Sequence, residues 1–349
     1  MGSSTRLRKI CSIIQESYVE LTHQDASTLF INYPQVQNLL ELRLPNKSYY
    51  SNLKRPLLEA EELGLETISH FTKQYNIIII SIPKSREEAL GQVALACQNV
   101  KPGGLVIIEG NKRHGIDNII KTLSQIVTLQ NLTSKAHGKI GVIKVSSEKF
   151  TGFSRWLDYI SPTKNNDGFL SMPGLFSYKK ADLASKFLAS NFDKQIDGNV
   201  VDLGAGWGFL SIKLLENCPQ IKSVTLVDHD KRAIDCAKIN VKSTKATFEW
   251  LDINETNTLG IKFDNAICNP PFHSNTRKNI ELGKNFIKIA FSNLKNTGNL
   301  LMVANIQLPY EKLVSSLFQD CRIHSHNKYF KIILAKRPKR SYNEKLAKI

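Results

Sequence analysis

The chain has 349 residues, 42% hydrophobic and 22% charged, which supplies packed cores and excludes a disordered chain. Its 47 Lys and Arg against 31 Asp and Glu leave a net +16, which favours a polyanionic partner. Apolar runs such as Ile77 to Ile80 are far too short to span a bilayer, and Gln15 and Glu16 break the stretch where a signal peptide would be apolar. In chain order, residues 76–82 read as a β-branched strand that ends at Pro83. A helix follows with apolar positions at Leu90, Val93, Ala94, Cys97 and Val100. Lys101-Pro102-Gly103-Gly104 then turns into a strand over 105–108. No glycine lies between Gly2 and Gly64, so the first half has no glycine loop that would let a ligand approach the backbone.

The linker is expected within 152–168, where Ser161-Pro162, Asn165-Asn166 and Asp167-Gly168 mark turns. Beyond it the first plan recurs. Residues 264–268 read as a strand ending at Asn269-Pro270-Pro271. A helix follows with Ile280, Ile287, Phe291 and Leu294 at helical spacing, and Asn296-Thr297-Gly298-Asn299 turns into a strand over 300–304. The expectation is an α/β protein built as a duplication, with domains at 1–160 and 161–349. The charge is uneven: residues 1–170 hold 20 basic and 15 acidic residues, residues 171–349 hold 27 and 16, so +11 lies in the second half. Six scattered cysteines without a C-x-x-C pair fit thiols in a reducing compartment, with no metal expected.

Only the second half carries a ligand loop. Residues 199–210, Asn-Val-Val-Asp-Leu-Gly-Ala-Gly-Trp-Gly-Phe-Leu, read as a buried strand, a glycine turn (Gly204, Gly206, Gly208) and a helix start. The helix start offers free N–H groups and the positive end of its dipole. In the dinucleotide fingerprint G-x-G-x-x-G the third glycine stands where Phe209 is. Asp202 just before the turn instead resembles the first motif of the class I methyltransferases that use S-adenosylmethionine. Asp228 and Asp252 end the next two apolar stretches, at the strand edge where open α/β sheets bind ligands. The first would accept from ribose hydroxyls and the second from an adenine amine.

Asn269-Pro270-Pro271-Phe272-His273 is the most specific motif. Two prolines stiffen the loop and remove donors, and the residue before a proline is held extended. An amide oxygen on Asn269 and the Pro270 carbonyl suit the two N–H groups of an amine on a planar ring, and Phe272 offers a stacking face. This motif, with the doubled architecture, Asp167-Gly168, residues 173–177 (Pro-Gly-Leu-Phe-Ser), Ala304-Asn305 and Leu308-Pro309-Tyr310, resembles the bacterial ribosomal RNA guanine-N2 methyltransferases of the 16S small-subunit type. The resemblance runs from about residue 75 onward; residues 1–70 match only loosely.

The resemblance implies two tandem Rossmann-like class I methyltransferase folds with mostly parallel sheets, the N-terminal copy degenerate and serving structure or RNA binding. It implies S-adenosylmethionine as cofactor, 16S ribosomal RNA, free or in an assembling small subunit, as partner, and Phe176 and Ser177 as cofactor contacts. A monomer, no membrane and a cytoplasmic location complete the expectation. Alternatives are methylation of adenine N6 or of large-subunit guanine, or a non-catalytic RNA-binding assembly factor. Trp207 reads as a stacking platform or as a buried helix-start residue. The basic tail from Lys336 to Lys348 reads as a solvated terminus or a phosphate grip.

Overall fold

The computed structural model describes residues 2–146, 151–193, 196–255, 258–271 and 277–339. The chain divides into two compact units, Met1–Pro162 with Met172–Gly174, and Thr163–Ser171 with Leu175–Ile349.

The first unit runs α1 (Gly2–Ser17), β1 (Thr28–Ile31), β2 (Lys47–Tyr50), α2 (Lys54–Glu62), β3 (Glu66–Thr67), β4 (Tyr75–Ser81), α3 (Arg86–Asn99), β5 (Val100–Asn111), α4 (Ile116–Leu123), β6 (Gln130–Lys135) and β7 (Gly138–Lys144). Its sheet has the order β3-β2-β1-β4-β5-β7-β6, parallel except at β7 and β6, which pair antiparallel. Ile77 to Ile80 are fully buried on β4 because a central parallel strand is covered on both faces, which is why no polar alternation interrupts the run. Helix α3 starts at Ser85, whose hydroxyl accepts from the Glu88 N–H, with Glu87 and Glu88 at the positive end of the helix. The buried Arg6 of α1 pairs with the buried Glu109 of β5, fastening α1 to the sheet. Residues Thr151–Ile160, expected within the linker, form a 3-10 stretch whose Phe153 and Trp156 are buried in the core that α3 and β4 share. Phe153 and Trp156, one 3-10 turn apart, make that stretch a layer of the first unit.

The second unit runs β8 (Thr163–Lys164), β9 (Leu170–Ser171), α5 (Leu183–Ala189), β10 (Gly198–Leu203), α6 (Phe209–Asn217), β11 (Ile221–Asp228), α7 (Lys231–Asn240), β12 (Ala246–Trp250), β13 (Phe263–Cys268), α8 (Arg277–Asn293), β14 (Leu294–Asn305), α9 (Glu311–Leu317), β15 (Phe318–His326) and β16 (Phe330–Pro338). The order β12-β11-β10-β13-β14-β16-β15 repeats the first sheet strand for strand, again with only the last two strands antiparallel.

The repeat extends to an irregularity. Tyr75 pairs with Val100 and Ile77 with Leu105, so five residues of β5 advance against two of β4. Phe263 pairs with Leu294 and Asn265 with Asn299, the same five against two. The segments read from sequence as turns, Lys101 to Gly104 and Asn296 to Asn299, are therefore bulges inside long strands. The chain holds two copies of one mostly parallel α/β fold.

Candidate active site

The second sheet reverses its winding between β10 and β13, and the loops leaving the carboxyl ends of these strands meet at that switch point. The loop after β10 carries Gly204, Gly206 and Gly208 at φ +71°, +56° and +97°. A Cβ at Gly204 would stand 3.0 Å from the Phe286 ring, whereas one at Gly206 would meet nothing within 4 Å. Gly206 thus leaves an open cradle beside a backbone that only glycine adopts without strain.

The cradle opens into a cavity of about 270 Å3, lined by Phe176, Gly204, Gly206, Val227, Asp228, His229, Leu251, Asp252, Ile253, Asn254, Asn269, Pro271, Leu282 and Phe286. A second cavity of about 40 Å3 shares Phe176, Gly204, Gly206 and Asn269 and adds Ser177, Asp182, Ser185 and the start of α6. Ser177 has φ +50°, a left-handed conformation unusual for a residue with a side chain. Phe176 is 43% exposed.

Asp228 ends β11. Its Oδ2 accepts from the Gly206 N–H (2.8 Å) and its Oδ1 from the Asp230 N–H (2.9 Å), so the carboxylate holds the glycine loop while facing the cavity. The neighbouring His229 imidazole is raised in pKa, chiefly by its hydrogen bond to that carboxylate, which lies 3.3 Å from Nδ1. Asp252 lies two residues beyond β12, its Oδ1 held by the Asn254 N–H (2.9 Å) and Nδ2 (2.8 Å).

Asp202 sits elsewhere. It is fully buried under the glycine loop, where Oδ2 accepts from the Ser211 hydroxyl of α6 (2.7 Å) and Oδ1 has no partner among the described residues. Burial pushes its carboxyl up to about 7, the Ser211 bond opposing and Asp228 adding.

Asn269 leaves the end of β13 and borders both cavities. Its Nδ2 donates to Asp182 Oδ2 (3.0 Å) and Ser185 Oγ (2.8 Å), while its buried Oδ1 has no partner among the described residues. An acceptor without a donor, inside a concave site, is what an amine ligand would satisfy. Pro270 is buried and Pro271 lines the larger cavity. Phe272 and His273 lie outside the described residues.

Several residues of the site escaped the sequence reading. Asp182, Ser185, Leu251, Ile253 and Phe286 were not among its candidates. Nothing local marks them, because the cavity wall is assembled from α5, α8 and the segment after β12. Trp207 is 3% exposed and stacks on Phe169 (5.4 Å between rings), so it is a buried helix-start residue and no platform for a base. Of the described basic tail, Arg337 pairs with Asp320 (2.5 Å) and Lys339 Nζ donates to the Ser315 carbonyl (2.8 Å). Lys336 pairs with Asn299 near the start of the sheet's parallel strands, the edge opposite Asn269, so these cations face away from the site. Arg340, Lys345 and Lys348 lie outside the described residues. Among the described residues no cluster of His, Cys, Asp and Glu is arranged to hold a metal ion, and no helix is long and apolar enough to cross a membrane.

The first unit lacks this chemistry position by position. Leu203 pairs with Val227 and Cys268, as Ile31 pairs with Tyr50 and Ile80. The residues one step further along are Gly204, Asp228 and Asn269 in the second unit, and Asn32, Ser51 and Ser81 in the first. After Asn32 comes Tyr33, fully buried, whose hydroxyl donates to the Ser3 carbonyl (2.8 Å).

Comparison with known proteins follows the same division. Residues 166–334 match the family model described as methyltransferase small domain, and residues 19–154 the one described as methyltransferase small domain N-terminal. The ribosomal RNA small subunit methyltransferase C of Psychromonas ingrahamii is 30% identical over 292 residues, 82% of each chain. That of Buchnera aphidicola subsp. Acyrthosiphon pisum is 30% identical over 268 residues, 74% of this chain and 76% of the relative. In fold, the chain is similar to the T. thermophilus 16S rRNA N2 G1207 methyltransferase solved in complex with AdoMet and guanosine. The TM-score is 0.73 at 19% identity, covering 94% of this chain and 92% of that one. With a relative 30% identical matched over four-fifths of its length, and a glycine cradle, two carboxylates and an amide oxygen unpaired among the described residues at one switch point, the chain belongs to the ribosomal RNA small subunit methyltransferase C family.

Proposed function

We propose that this chain transfers a methyl group from S-adenosylmethionine to the exocyclic N2 amine of a guanine in 16S ribosomal RNA. The observation that carries the reading is the buried Asn269 Oδ1, without a partner among the described residues, at the mouth of the glycine-loop cavity. The cradle fits the cofactor: the open space beside Gly206, apolar walls from Leu251, Ile253 and Phe286, and the Asp228 and Asp252 carboxylates suit a nucleoside. Asp228 would take the ribose hydroxyls, Asp252 the adenine amine, and Phe176, Ser177 and the start of α6 the amino-acid end. Asp202, beneath Gly204 and Gly208, would serve the cofactor by holding the loop. Bound S-adenosylmethionine would supply an electrophilic methyl on a sulfonium.

The protein's own work is done at the amine. Asn269 Oδ1 and the Pro270 carbonyl accept its two N–H groups, which draws the nitrogen lone pair out of conjugation with the ring. The same acceptors stabilise the positive charge that develops on nitrogen as it is alkylated. The surplus proton then leaves an acidic ammonium to water, so a strong base is unnecessary. Phe272 stacks on the base and Pro271 keeps the loop from yielding. A guanine in folded RNA must be unstacked to enter, at a cost the pocket recovers. The first unit, with Asn32, Ser51 and Ser81 at the equivalent positions, serves as scaffold and RNA-binding module, and the chain acts as a monomer in the cytoplasm.

Asn269→Ala should lower kcat on 16S RNA by roughly 10²–10³-fold. Its affinity for S-adenosylmethionine, measured by titration calorimetry, should stay within a few fold of normal. Nucleoside digestion of the labelled RNA should yield N2-methylguanosine; N6-methyladenosine would replace the acceptor in this reading. Failure of the intact chain to bind the cofactor would favour a non-catalytic assembly factor.

A further inference from the structure

The Asn269 amide has two ends of opposite chemistry, and the proposed function needs the oxygen to face the substrate. A flipped amide would present N–H donors to an amine that is itself a donor. The loop prolines fix the backbone but not this flip, since both orientations fill the same volume. What decides it lies on another element. Asp182 Oδ2 accepts from Asn269 Nδ2 at 3.0 Å, and Ser185 Oγ does so at 2.8 Å. An ionised carboxylate has no proton to donate, so it can face only the N–H end. The same Asp182 oxygen accepts the N–H groups of Ala184 (2.9 Å) and Ser185 (3.1 Å), the cap of α5 that pins the carboxylate in place. Ser185 is 8% exposed, while Asp182 and Asn269 are half-buried at the wall of the smaller cavity.

We infer that Asp182, with Ser185, is a positioning residue that fixes the Asn269 amide with its oxygen toward the methyl acceptor. The inference rests on the reading of Asn269 given above and extends it to the N-terminus of α5. It also accounts for a helix of only seven residues having its cap beside the catalytic loop: one carboxylate oxygen organises both.

The role separates from helix capping by choice of variant. Asp182→Ser keeps a capping oxygen but shortens the side chain by one bond, so it should release Asn269 while leaving α5 in place. Asp182→Asn should turn its own amide oxygen to the cap, and that oxygen can still accept from Asn269. The intact chain would be assayed for turnover on 16S RNA, for S-adenosylmethionine affinity and for Tm. Misplacement of a catalytic group by about an ångström costs on the order of 10²-fold. For D182S the expected result is a kcat reduced toward that figure, with KM for RNA and cofactor Kd within threefold of normal. D182N should recover most of kcat. D182S combined with N269A should be no slower than N269A alone, because the lock then has nothing to hold.

Unchanged kcat in D182S would overturn the inference. So would a loss matched in D182N, a parallel loss of cofactor affinity and Tm, or additive losses in the double variant, each of which leaves Asp182 a cap only. Full turnover by N269A would instead overturn the reading of Asn269 itself, and this proposal with it.

Discussion

Asp202 stands just before the glycine turn, yet its carboxylate points into the packing between β10 and α6, where Ser211 donates to it. It is the next-to-last residue of β10, fully buried, with one oxygen on Ser211 and the other without a partner among the described residues. Burial pushes its carboxyl from 3.8 to about 7, so between those values the folded chain holds a proton that the unfolded chain has released. The sign follows: this contribution to stability is complete below pH 4 and is lost as pH rises through about 7, a change on the order of 4 kcal/mol. Asp202→Asn keeps the shape and stays neutral. Its unfolding free energy, measured by denaturant titration, should gain on the wild type from about pH 4 to about pH 7 and level off above that. A difference that is flat with pH would mean Asp202 titrates as an exposed carboxyl does. The sequence could place this aspartate at a strand end but could not say whether it faces the ligand or the helix beneath, because one step along a strand reverses the side.

The glycine loop is the element on which the cofactor reading turns. Gly206 has φ +56°, a conformation other residues adopt at a cost of roughly 1–2 kcal/mol, and open space where a Cβ would stand. Gly206→Ala should therefore fold, with a modest fall in Tm, while its methyl intrudes on the cavity and weakens S-adenosylmethionine binding at least tenfold by titration calorimetry. Gly204→Ala should fare worse in stability, since its Cβ would stand 3.0 Å from the Phe286 ring. Strands and helices of this unit were legible because β-branched runs, caps and glycine punctuation are local signals. The bulges after Val100 and Leu294 were not. Pro102-Gly103 and Thr297-Gly298 look like turns until Val100 is paired with Tyr75 and Leu294 with Phe263, and that pairing is a long-range event.

At the scale of the whole chain, duplication leaves one equipped unit and one that keeps the topology with Asn32, Ser51 and Ser81 in place of Gly204, Asp228 and Asn269. Titration of the intact chain with S-adenosylmethionine should give one site per chain; two sites would mean the first unit retains a cradle. The +16 also resolves differently from the way composition suggests. Arg337 and Lys339 are engaged at the sheet edge remote from the site, so proximity in sequence to a catalytic unit did not place them near its chemistry. By itself the sequence determined the α/β class, the doubling, the glycine turn, the strand-end carboxylates and the Asn269-Pro270-Pro271 loop, because each is written in short-range pattern and residue chemistry. Only the tertiary structure decided that Asp202 lies under the loop, that Trp207 is buried, and that Asp182 and Ser185 reach Asn269 from 87 and 84 residues away. Those outcomes depend on which faces the packed elements turn to one another, and no local pattern encodes that.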